Sequence, residues 1–316
     1  MRRVEYDRYG GPEVLHVSDV PVPSVGAGQV LVAVLSAGVG GGESTIRAGK
    51  LRRVLRLSFP QGSGNEFAGR VEAVGDGVEL RPGDLVWGLM PHGTFGAIAD
   101  VVVVPRDRLA VLPPGLDVVE AGSLPVSGTT AITALEEKAA LRPGERLLVR
   151  GATGGVGSVV VQLGRHLGAH VTAMASARNL DWVRELGADA AVDYRTTAPG
   201  DLGPFDVIVD LVGTDLLAYR ARLARGGRMV ALAIAPDAVA RSLAATVVGR
   251  MLPRPILSFS NNPSPQTLAR LTELARAGVL RPVVDQVFSM DELAEAHRLL
   301  EAGGVRGKYV IDLAKA

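Results

Sequence analysis

The sequence feature that most constrains the fold is a glycine-rich stretch that lies between two apolar runs. It reads GATGGVGSVVVQLGRHLGAHV from Gly151 to Val171 and directly follows the strand-like segment ERLLVR. Glycines allow a tight turn and a close approach to a ligand, and the start of the following helix offers free N–H groups with partial positive charge. A strand, a glycine loop and a helix in this order match the dinucleotide-binding fingerprint. We therefore predict that a dinucleotide diphosphate contacts four residues of the loop: Gly154, Gly155, Val156 and Gly157.

Apolar runs alternate with helix-like segments around this loop. The strand-like runs include HVTAMA, FDVIVDLVG and GRMVALA, and segments between them, such as NLDWVRELG, have a helical pattern. Continuous apolar runs are typical of strands buried on both faces of a parallel sheet, and their alternation with helices indicates right-handed βαβ units. We therefore predict an α/β Rossmann domain, with a doubly wound parallel sheet, over residues 123–281.

The first third of the chain has a different sequence pattern, which is typical of β-structure. Short apolar runs such as QVLVAVLSAGV are separated by turns such as GDG and RPGD, which favours a small β-barrel or sandwich. The C-terminal tail reads as strand PVVDQVFS, helix MDELAEAHRLLEAG and strand GKYVIDL. From the pattern alone, this tail can belong to either domain.

The identity of the dinucleotide depends on the end of the second strand. Enzymes that use NAD usually carry an acidic residue there, which holds the ribose 2′-hydroxyl. This chain reads ASARN instead, so Ser176 can donate a hydrogen bond to a 2′-phosphate and Arg178 can pair with it. Tyr194, at the end of the next strand, can cover the same phosphate. Together these residues favour NADPH.

Composition excludes several other classes of function. The net charge is +1, and basic residues are not interleaved with aromatic ones, so we expect neither a nucleic acid nor a membrane as partner. The absence of cysteine excludes disulfides and thiolate nucleophiles. The charged amino terminus and the lack of about 18 consecutive apolar residues predict a cytoplasmic protein. Among the 34 basic residues the only lysines are Lys50, Lys138, Lys308 and Lys315, and this excess of arginine suggests GC-rich coding and a bacterial source.

Six motifs occur in the order of a known family. They are GNEFAGRVEAVGDGV, PGDLVWGL, EAGSLPVSGTTAITAL, the glycine stretch, RELGADAAVDY and the tail that begins AGVLRPVVDQVFS. The chain therefore resembles the medium-chain dehydrogenase/reductase superfamily, and within it the zinc-independent quinone oxidoreductases, the zeta-crystallin-like proteins. The resemblance implies that residues 1–122 and 282–316 form a GroES-like catalytic domain. It also implies a homodimer that pairs a strand at Pro255–Asn261.

The resemblance also implies roles for individual positions. Thr130 approaches the nicotinamide half of NADPH, while Ser176, Arg178 and Tyr194 hold the 2′-phosphate. The remaining predicted cofactor contacts are Ala233 and Ile234 beside the nicotinamide, with Phe259 and Lys308 closing the cofactor cleft.

We expect no metal site. Metal-dependent relatives need a cysteine near the segment SAGVGGGES and a histidine before the glutamate of a GHE triplet, but this chain has glycines and Asn65 there. Hydride transfer without a Lewis acid suits an acceptor that is already electron-poor, such as a quinone or another α,β-unsaturated carbonyl. The candidate catalytic residues are Thr130, Asn65 and Glu43, and a structural role for Glu43 and Asn65 stays open.

The segment GVGGGESTIRAG departs from the family where the substrate binds. Gly40 replaces an asparagine and Thr45 replaces an aromatic residue, so we expect Gly40, Gly41 and Thr45 to line a wider and less polar substrate pocket. This departure keeps two alternatives open within enzyme function, an enoyl reductase acting on an enoyl thioester and a non-redox cyclase of a natural-product pathway. A third alternative is a regulatory or RNA-binding protein that holds NADPH without turnover.

Overall fold

The chain forms two compact units. The computed structural model describes residues 1–52, 55–233 and 239–315, except the side chains of 239–243 and 245. The first unit joins Met1–Thr129 to Asn262–Ala316, and the second is the contiguous segment Thr130–Asn261.

The strands and helices follow the apolar runs of the sequence. Within the described ranges the strands are β1 (Arg2–Tyr6), β2 (His16–Asp19), β3 (Gln29–Val39), β4 (Gln61–Gly62), β5 (Glu66–Val74), β6 (Leu85–Leu89), β7 (Val101–Pro105), β8 (Leu109–Val111), β9 (Arg146–Arg150), β10 (His170–Ala175), β11 (Ala190–Asp193), β12 (Phe205–Asp210), β13 (Leu223–Ala231), β14 (Ile256–Leu257), β15 (Val284–Phe288) and β16 (Lys308–Asp312). The α-helices there are α1 (Gly41–Arg47), α2 (Val118–Ala121), α3 (Leu124–Ile132), α4 (Gly155–His166), α5 (Leu180–Glu185), α6 (Leu216–Arg220), α7 (Val239–Arg250), α8 (Pro265–Arg276) and α9 (Leu293–Ala302). Among the described helices, none is long and apolar enough to cross a membrane.

The second unit contains a six-stranded sheet in the order β11-β10-β9-β12-β13-β14. Every neighbouring pair in it is parallel. Counted from β9, this is the strand order 3-2-1-4-5-6 of a Rossmann sheet, and the predicted α/β fold is confirmed. The strand order reverses between β9 and β12, and a crevice at the carboxyl ends of the strands is the usual ligand position in such sheets.

Close packing of α4 on this sheet fixes where the helix begins. Leu147, Leu148 and Val149 of β9 are fully buried, as expected for a strand covered on both faces. A Cβ on Gly164 of α4 would lie 2.6 Å from Cδ2 of Leu147. The glycine therefore lets the helix axis approach β9, which holds the amino end of α4 at the carboxyl edge of the sheet.

The first unit is built mainly from antiparallel strands. One sheet has the order β15-β16-β3-β5-β6-β8, with β7 paired to β3 as well, and a smaller sheet has the order β2-β1-β4. The buried residues Val30, Val32 and Val34 alternate along β3 and face the core of this unit. Because β16 pairs with β3 from Tyr309 opposite Val39, the C-terminal tail belongs to the first unit.

Two segments differ from the sequence prediction. Helix α8 lies in the first unit, although the predicted Rossmann segment included it; Trp87 Nε1 donates to Thr272 Oγ1 of α8 at 3.2 Å. A helical pattern does not state which surface the helix packs on, so the sequence left this contact undetermined. The strand predicted over Pro255–Asn261 is restricted to β14, since only its two residues pair with β13.

Candidate functional site

The glycine loop makes a tight turn between β9 and α4. Gly151 has a φ of +77°, which favours glycine, and its carbonyl accepts a hydrogen bond from the Gly154 N–H at 3.2 Å. A Cβ on Gly157 would overlap the Gly151 carbonyl oxygen and lie 2.9 Å from Cα of Ala152. Only glycine at position 157 therefore permits this turn.

The start of α4 has the properties of a diphosphate site. Gly154 is the N-cap residue, and no side chain caps the first N–H groups of this helix. These donors and the helix dipole favour an anionic group, and the bare backbone of Gly154 and Gly155 lets that group approach closely. The predicted loop residues thus fit the diphosphate of a dinucleotide.

The residues predicted at the 2′-phosphate lie together at the carboxyl ends of β10 and β11. The Tyr194 N–H donates to the Ala175 carbonyl at 3.1 Å, which brings Tyr194 beside Ser176, the residue after β10. The Ser176 hydroxyl makes no capping bond to the short helix Ala177–Asn179, and Arg178 in that helix is exposed. Ser176, Arg178 and Tyr194 therefore lie close together in the chain segments that follow β10 and β11.

The sequence prediction did not include Arg195 at this corner. Its guanidinium carbon lies 5.6 Å from the centre of the Tyr194 ring, and both side chains are exposed. A cation beside Tyr194 favours an anionic group at this edge of the sheet. The signal for Arg195 in the sequence is only its position after Tyr194.

A buried ion pair supports the neighbouring loop at the centre of the sheet. Arg150 at the end of β9 pairs with Asp210 at the end of β12, and it also donates to the Thr214 carbonyl at 2.8 Å. Asp210 accepts from the N–H groups of Val212 and Gly213 at 3.1 and 2.6 Å. The pair therefore fixes the loop after β12, and a Cβ on Gly151 would lie 3.2 Å from Leu211 of that loop.

The other predicted cofactor residues lie at separate places. The chain before Ala233 is held at the edge of the sheet, because the Leu232 N–H donates to the Asp210 carbonyl at 2.9 Å. Ile234 lies outside the described residues. Thr130 is buried on α3, and Phe259 is half-buried after β14. The roles of these residues in cofactor binding stay predictions.

In the first unit, the predicted substrate residues lie at the start of α1 and within it. Gly40 caps this helix in an extended conformation, and a Cβ on Gly41 or Gly42 would meet no atom within 4 Å. The Thr45 hydroxyl donates to the Gly41 carbonyl at 3.1 Å, so it is engaged within its own helix. The space beside the two glycines is therefore open among the described residues.

Glu43 of α1 lines a small cavity of the first unit. The cavity has a volume of about 10 Å³, and its other lining residues are Tyr6, Ile46, Gly62, Ser63, Gly64 and Phe95. Glu43 Oε2 accepts a hydrogen bond from the Gly64 N–H at 3.1 Å. The side chain keeps some contact with solvent, yet enough protein surrounds it that burial raises its pKa to about 8.

Glu66 and Lys308 form a buried ion pair near Glu43. The side chains are 2% and 8% exposed, and Glu66 Oε2 also accepts from the Val126 N–H at 2.6 Å. The ammonium group predicted at the cofactor cleft is thus engaged with a carboxylate. Asn65, the residue before Glu66, is half-buried, and its carbonyl accepts from the Met90 N–H at 2.8 Å. In the part of the chain that is described, no group of three or more histidine, aspartate or glutamate side chains is placed to hold a metal ion.

Two family models match the chain. Residues 26–114 match the alcohol dehydrogenase GroES-like domain, and residues 186–311 match the zinc-binding dehydrogenase domain. The predicted combination of a GroES-like domain with a Rossmann domain is confirmed.

Individual relatives are similar over nearly the whole chain. The 2-methylene-furan-3-one reductase of Solanum lycopersicum is 33% identical over 324 residues, which cover 98% of this chain and 79% of the relative. The chloroplastic NADPH-dependent alkenal/one oxidoreductase of Arabidopsis thaliana is 31% identical, with 98% and 79% covered. The solved structure of the quinone oxidoreductase from Coxiella burnetii superposes with a TM-score of 0.88, at 28% identity and with 99% of each chain covered.

Proposed function

We propose, since this chain belongs to the medium-chain dehydrogenase/reductase superfamily, that it uses NADPH to reduce a quinone or another α,β-unsaturated carbonyl. The chain is an oxidoreductase with the fold of a nicotinamide-dinucleotide-binding dehydrogenase. The observation that carries the proposal is the glycine loop, whose bare backbone and uncapped helix start fit a dinucleotide diphosphate. The names of the relatives, which include an alkenal/one oxidoreductase and a furanone reductase, support the acceptor class.

The residues of each unit have separate tasks in this proposal. The loop from Gly154 to Gly157 binds the diphosphate, and Thr130, Ala233, Ile234, Phe259 and Lys308 remain the predicted contacts elsewhere on the cofactor. When bound, NADPH supplies a hydride. The first unit, which we assign as the catalytic domain, orients the acceptor beside α1, where Gly40, Gly41 and Thr45 leave room for it. Asn65 and Glu43 lie in this unit as candidate groups for the proton.

The preference for NADPH over NADH is the finer part of the proposal. It is supported by Ser176, whose hydroxyl caps no helix, and by the exposed side chains of Arg178 and Tyr194 at the same corner. Arg178→Ala is expected to raise KM for NADPH at least tenfold and to leave KM for NADH nearly unchanged, because only NADPH carries the 2′-phosphate.

The matched control for this experiment is Arg184→Ala. Arg184 is an exposed arginine of α5 that pairs with Asp181 three residues earlier. Arg184→Ala changes the net charge by the same amount as Arg178→Ala, because each variant removes one arginine. It should leave both KM values unchanged. Equal effects of Arg178→Ala on NADPH and NADH would contradict the assignment.

A panel of acceptors tests the reaction itself. Oxidation of NADPH is measured with quinones, enones and enoyl thioesters, with NADH as the control coenzyme and with an added chelator. Turnover with quinones or enones that the chelator does not change is expected. Turnover with enoyl thioesters alone would favour the enoyl reductase, which the open surface at Gly41 and Gly42 admits. Product formation without NADPH oxidation would favour the cyclase, and tight NADPH binding with no turnover would favour the regulatory protein.

We also propose a homodimer through the Pro255–Asn261 segment. It is supported by β14, which lies at an edge of the six-stranded sheet and has one strand partner, and an edge strand can add a strand of a second copy. Leu257→Lys is expected to convert a dimeric mass in light scattering to a monomeric one. Leu217→Lys changes an exposed leucine of α6 and should leave the mass unchanged. The cytoplasmic location and the bacterial source stay predictions.

A further inference from the structure

Three ionisable groups of the first unit meet in a poorly solvated cluster. Glu43 comes from α1, Glu66 from β5 and Lys308 from β16, so three separate elements bring them together. The cluster holds two carboxyl groups but only one ammonium group. If both carboxyls were ionised, the cluster would keep one uncompensated negative charge away from water, which is costly. One proton on either carboxyl removes this charge.

Hydrogen bonds decide which carboxyl keeps the proton. Glu66 has two strong partners that favour its ionised form, the Lys308 ammonium group and the Val126 N–H at 2.6 Å. Glu43 has the Gly64 N–H at 3.1 Å. Burial and the charge of Glu66 raise the pKa of Glu43, while Lys308 opposes that shift, and the pKa is about 8. Burial raises the pKa of Glu66 as well, while the Lys308 ammonium group and the Val126 N–H oppose that shift.

Tyr6, the other ionisable side chain among the described residues that line this cavity, does not compete for this role. Tyr6 of β1 lines the same cavity, and burial together with the charge of Glu43 raises its pKa to about 12. Its phenol therefore stays neutral across the range in which Glu43 titrates. The cavity volume of about 10 Å³ is close to what one water molecule needs, so a single water beside Glu43 can pass a proton on.

We propose that Glu43 is the proton donor of the reductase and that the Glu66–Lys308 pair positions the proton on it. The inference rests on the proposed function. In the balanced reaction with an enone, the acceptor takes up a hydride at its β-carbon and a proton at its α-carbon. The two electrons come with the hydride from NADPH, which is oxidised to NADP⁺. The proton leaves Glu43 through the cavity, and the carboxylate that remains regains a proton from solvent.

The first experiment observes the proton without turnover. Infrared difference spectra of the full chain between about pH 6 and about pH 10 should show a protonated carboxyl band that disappears with a midpoint near the Glu43 pKa of about 8. Glu43→Gln should lack this band. Glu72→Gln, which removes an exposed carboxyl from β5, the strand of Glu66, should keep it. A band that persists in Glu43→Gln would overturn the proposal.

The second experiment is a pH profile with an enone. Wild-type kcat should fall above about pH 8, because the donor is then ionised. Glu43→Gln should lower kcat on the order of 10²-fold and lose this alkaline limb, with KM for NADPH unchanged, because removal of a general acid slows the proton step. Glu66→Gln should move the limb to lower pH, because Lys308 is then free to stabilise the Glu43 carboxylate.

The outcomes separate the two proposals. If the wild type reduces enones and Glu43→Gln keeps both the rate and the alkaline limb, the proton donor is wrong while the reductase stands. If the wild type reduces no acceptor, the proposed function fails and the donor role fails with it. If Glu43→Gln does not fold, the pH profile of Glu66→Gln tests the donor role instead. An alkaline limb of kcat at the same pH as in the wild type would then overturn the donor role.

Discussion

The guanidinium carbon of Arg150 lies 3.5 Å from the centre of the Tyr219 ring. Arg150 ends the strand that leads into the glycine loop, and Tyr219 lies on α6, the helix after β12. A cation over an aromatic face is stabilised when both groups are shielded from water, and Arg150 and Tyr219 are both about 5% exposed. This contact and the ion pair with Asp210 hold together the loops that follow β9 and β12.

Removal of the Asp210 charge should destabilise the second unit. Asp210→Asn leaves the buried Arg150 guanidinium without its anionic partner, which costs about 3–5 kcal/mol in comparable cases. The free energy of unfolding in urea should fall by about that amount. Asp181→Asn is the control, since the Asp181 carboxylate is 94% exposed in its pair with Arg184 and such pairs contribute at most about 1 kcal/mol. Equal losses in both variants would contradict the structural role of Asp210.

Two alanine substitutions in the glycine loop should have different effects. Gly157→Ala places a methyl group against the Gly151 carbonyl and 2.9 Å from Cα of Ala152, so it should lower the thermal midpoint and weaken NADPH binding. Gly154→Ala meets only the Gly151 oxygen at 3.7 Å, so it should leave the thermal midpoint unchanged. NADPH binding should still weaken in Gly154→Ala, because the methyl group occupies the surface that the diphosphate approaches. Calorimetric titration and thermal unfolding measure both quantities, and full NADPH affinity in Gly154→Ala would contradict the loop assignment.

His297 should make stability depend on acid pH. The ring is fully buried on α9 without a hydrogen-bond partner among the described residues, and burial beside Arg47 lowers its pKa from 6.5 to about 3. Below pH 6.5 the histidine of the unfolded chain is protonated, whereas the buried ring of the folded chain stays neutral. The contribution of His297 to the free energy of unfolding is therefore complete above pH 6.5 and is lost as the pH falls towards about 3.

The corresponding variant is His297→Met. It should abolish a slope of up to about 1.4 kcal/mol per pH unit in the free energy of unfolding between about pH 3 and about pH 6. His166→Gln changes an exposed histidine of α4 and should keep the slope. A slope that His297→Met leaves intact would show that another group causes it.

Glu43 should have the opposite effect at higher pH. Its pKa in the folded chain is about 8 against an ordinary 4.5, so the folded chain binds the proton more tightly than the unfolded chain. The stability from this proton is complete below pH 4.5 and is lost as the pH rises through about 8. Urea unfolding of Glu43→Gln should therefore lack the decline that the wild type shows across this range. The same decline in both proteins would contradict the raised pKa.

The sequence predicted the features that depend on local pattern. Buried parallel strands read as continuous apolar runs, so the segments around Gly151 indicated the Rossmann sheet, and the glycine spacing indicated the start of α4. Ser176 and Tyr194 were predicted as 2′-phosphate contacts because each follows a strand, and the structure places them side by side, while their role stays a prediction. Arg195 was missed, since an arginine after a tyrosine is common on any surface.

Contacts between residues that are far apart in the chain could not be predicted from the sequence. Glu66 and Lys308 are 242 positions apart, and no local pattern states that they pair. Arg150 and Asp210 are 60 positions apart and are joined only because β9 and β12 are neighbours in the sheet. The unit to which α8 belongs depends in the same way on its contact with Trp87. These pairings follow from topology, whereas the elements follow from periodicity.

The pairing of β16 with β3 imposes an order on biosynthesis. A ribosome releases the contiguous Thr130–Asn261 unit as a whole, so that unit can mature while the rest of the chain is still being translated. The sheet of the other unit is completed later, since β16, which pairs with β3, is translated after the Thr130–Asn261 segment. Until Lys308 emerges, Glu66 has no cation to meet, and a chaperone that shields β3 in the interval would protect the edge that β16 later occupies.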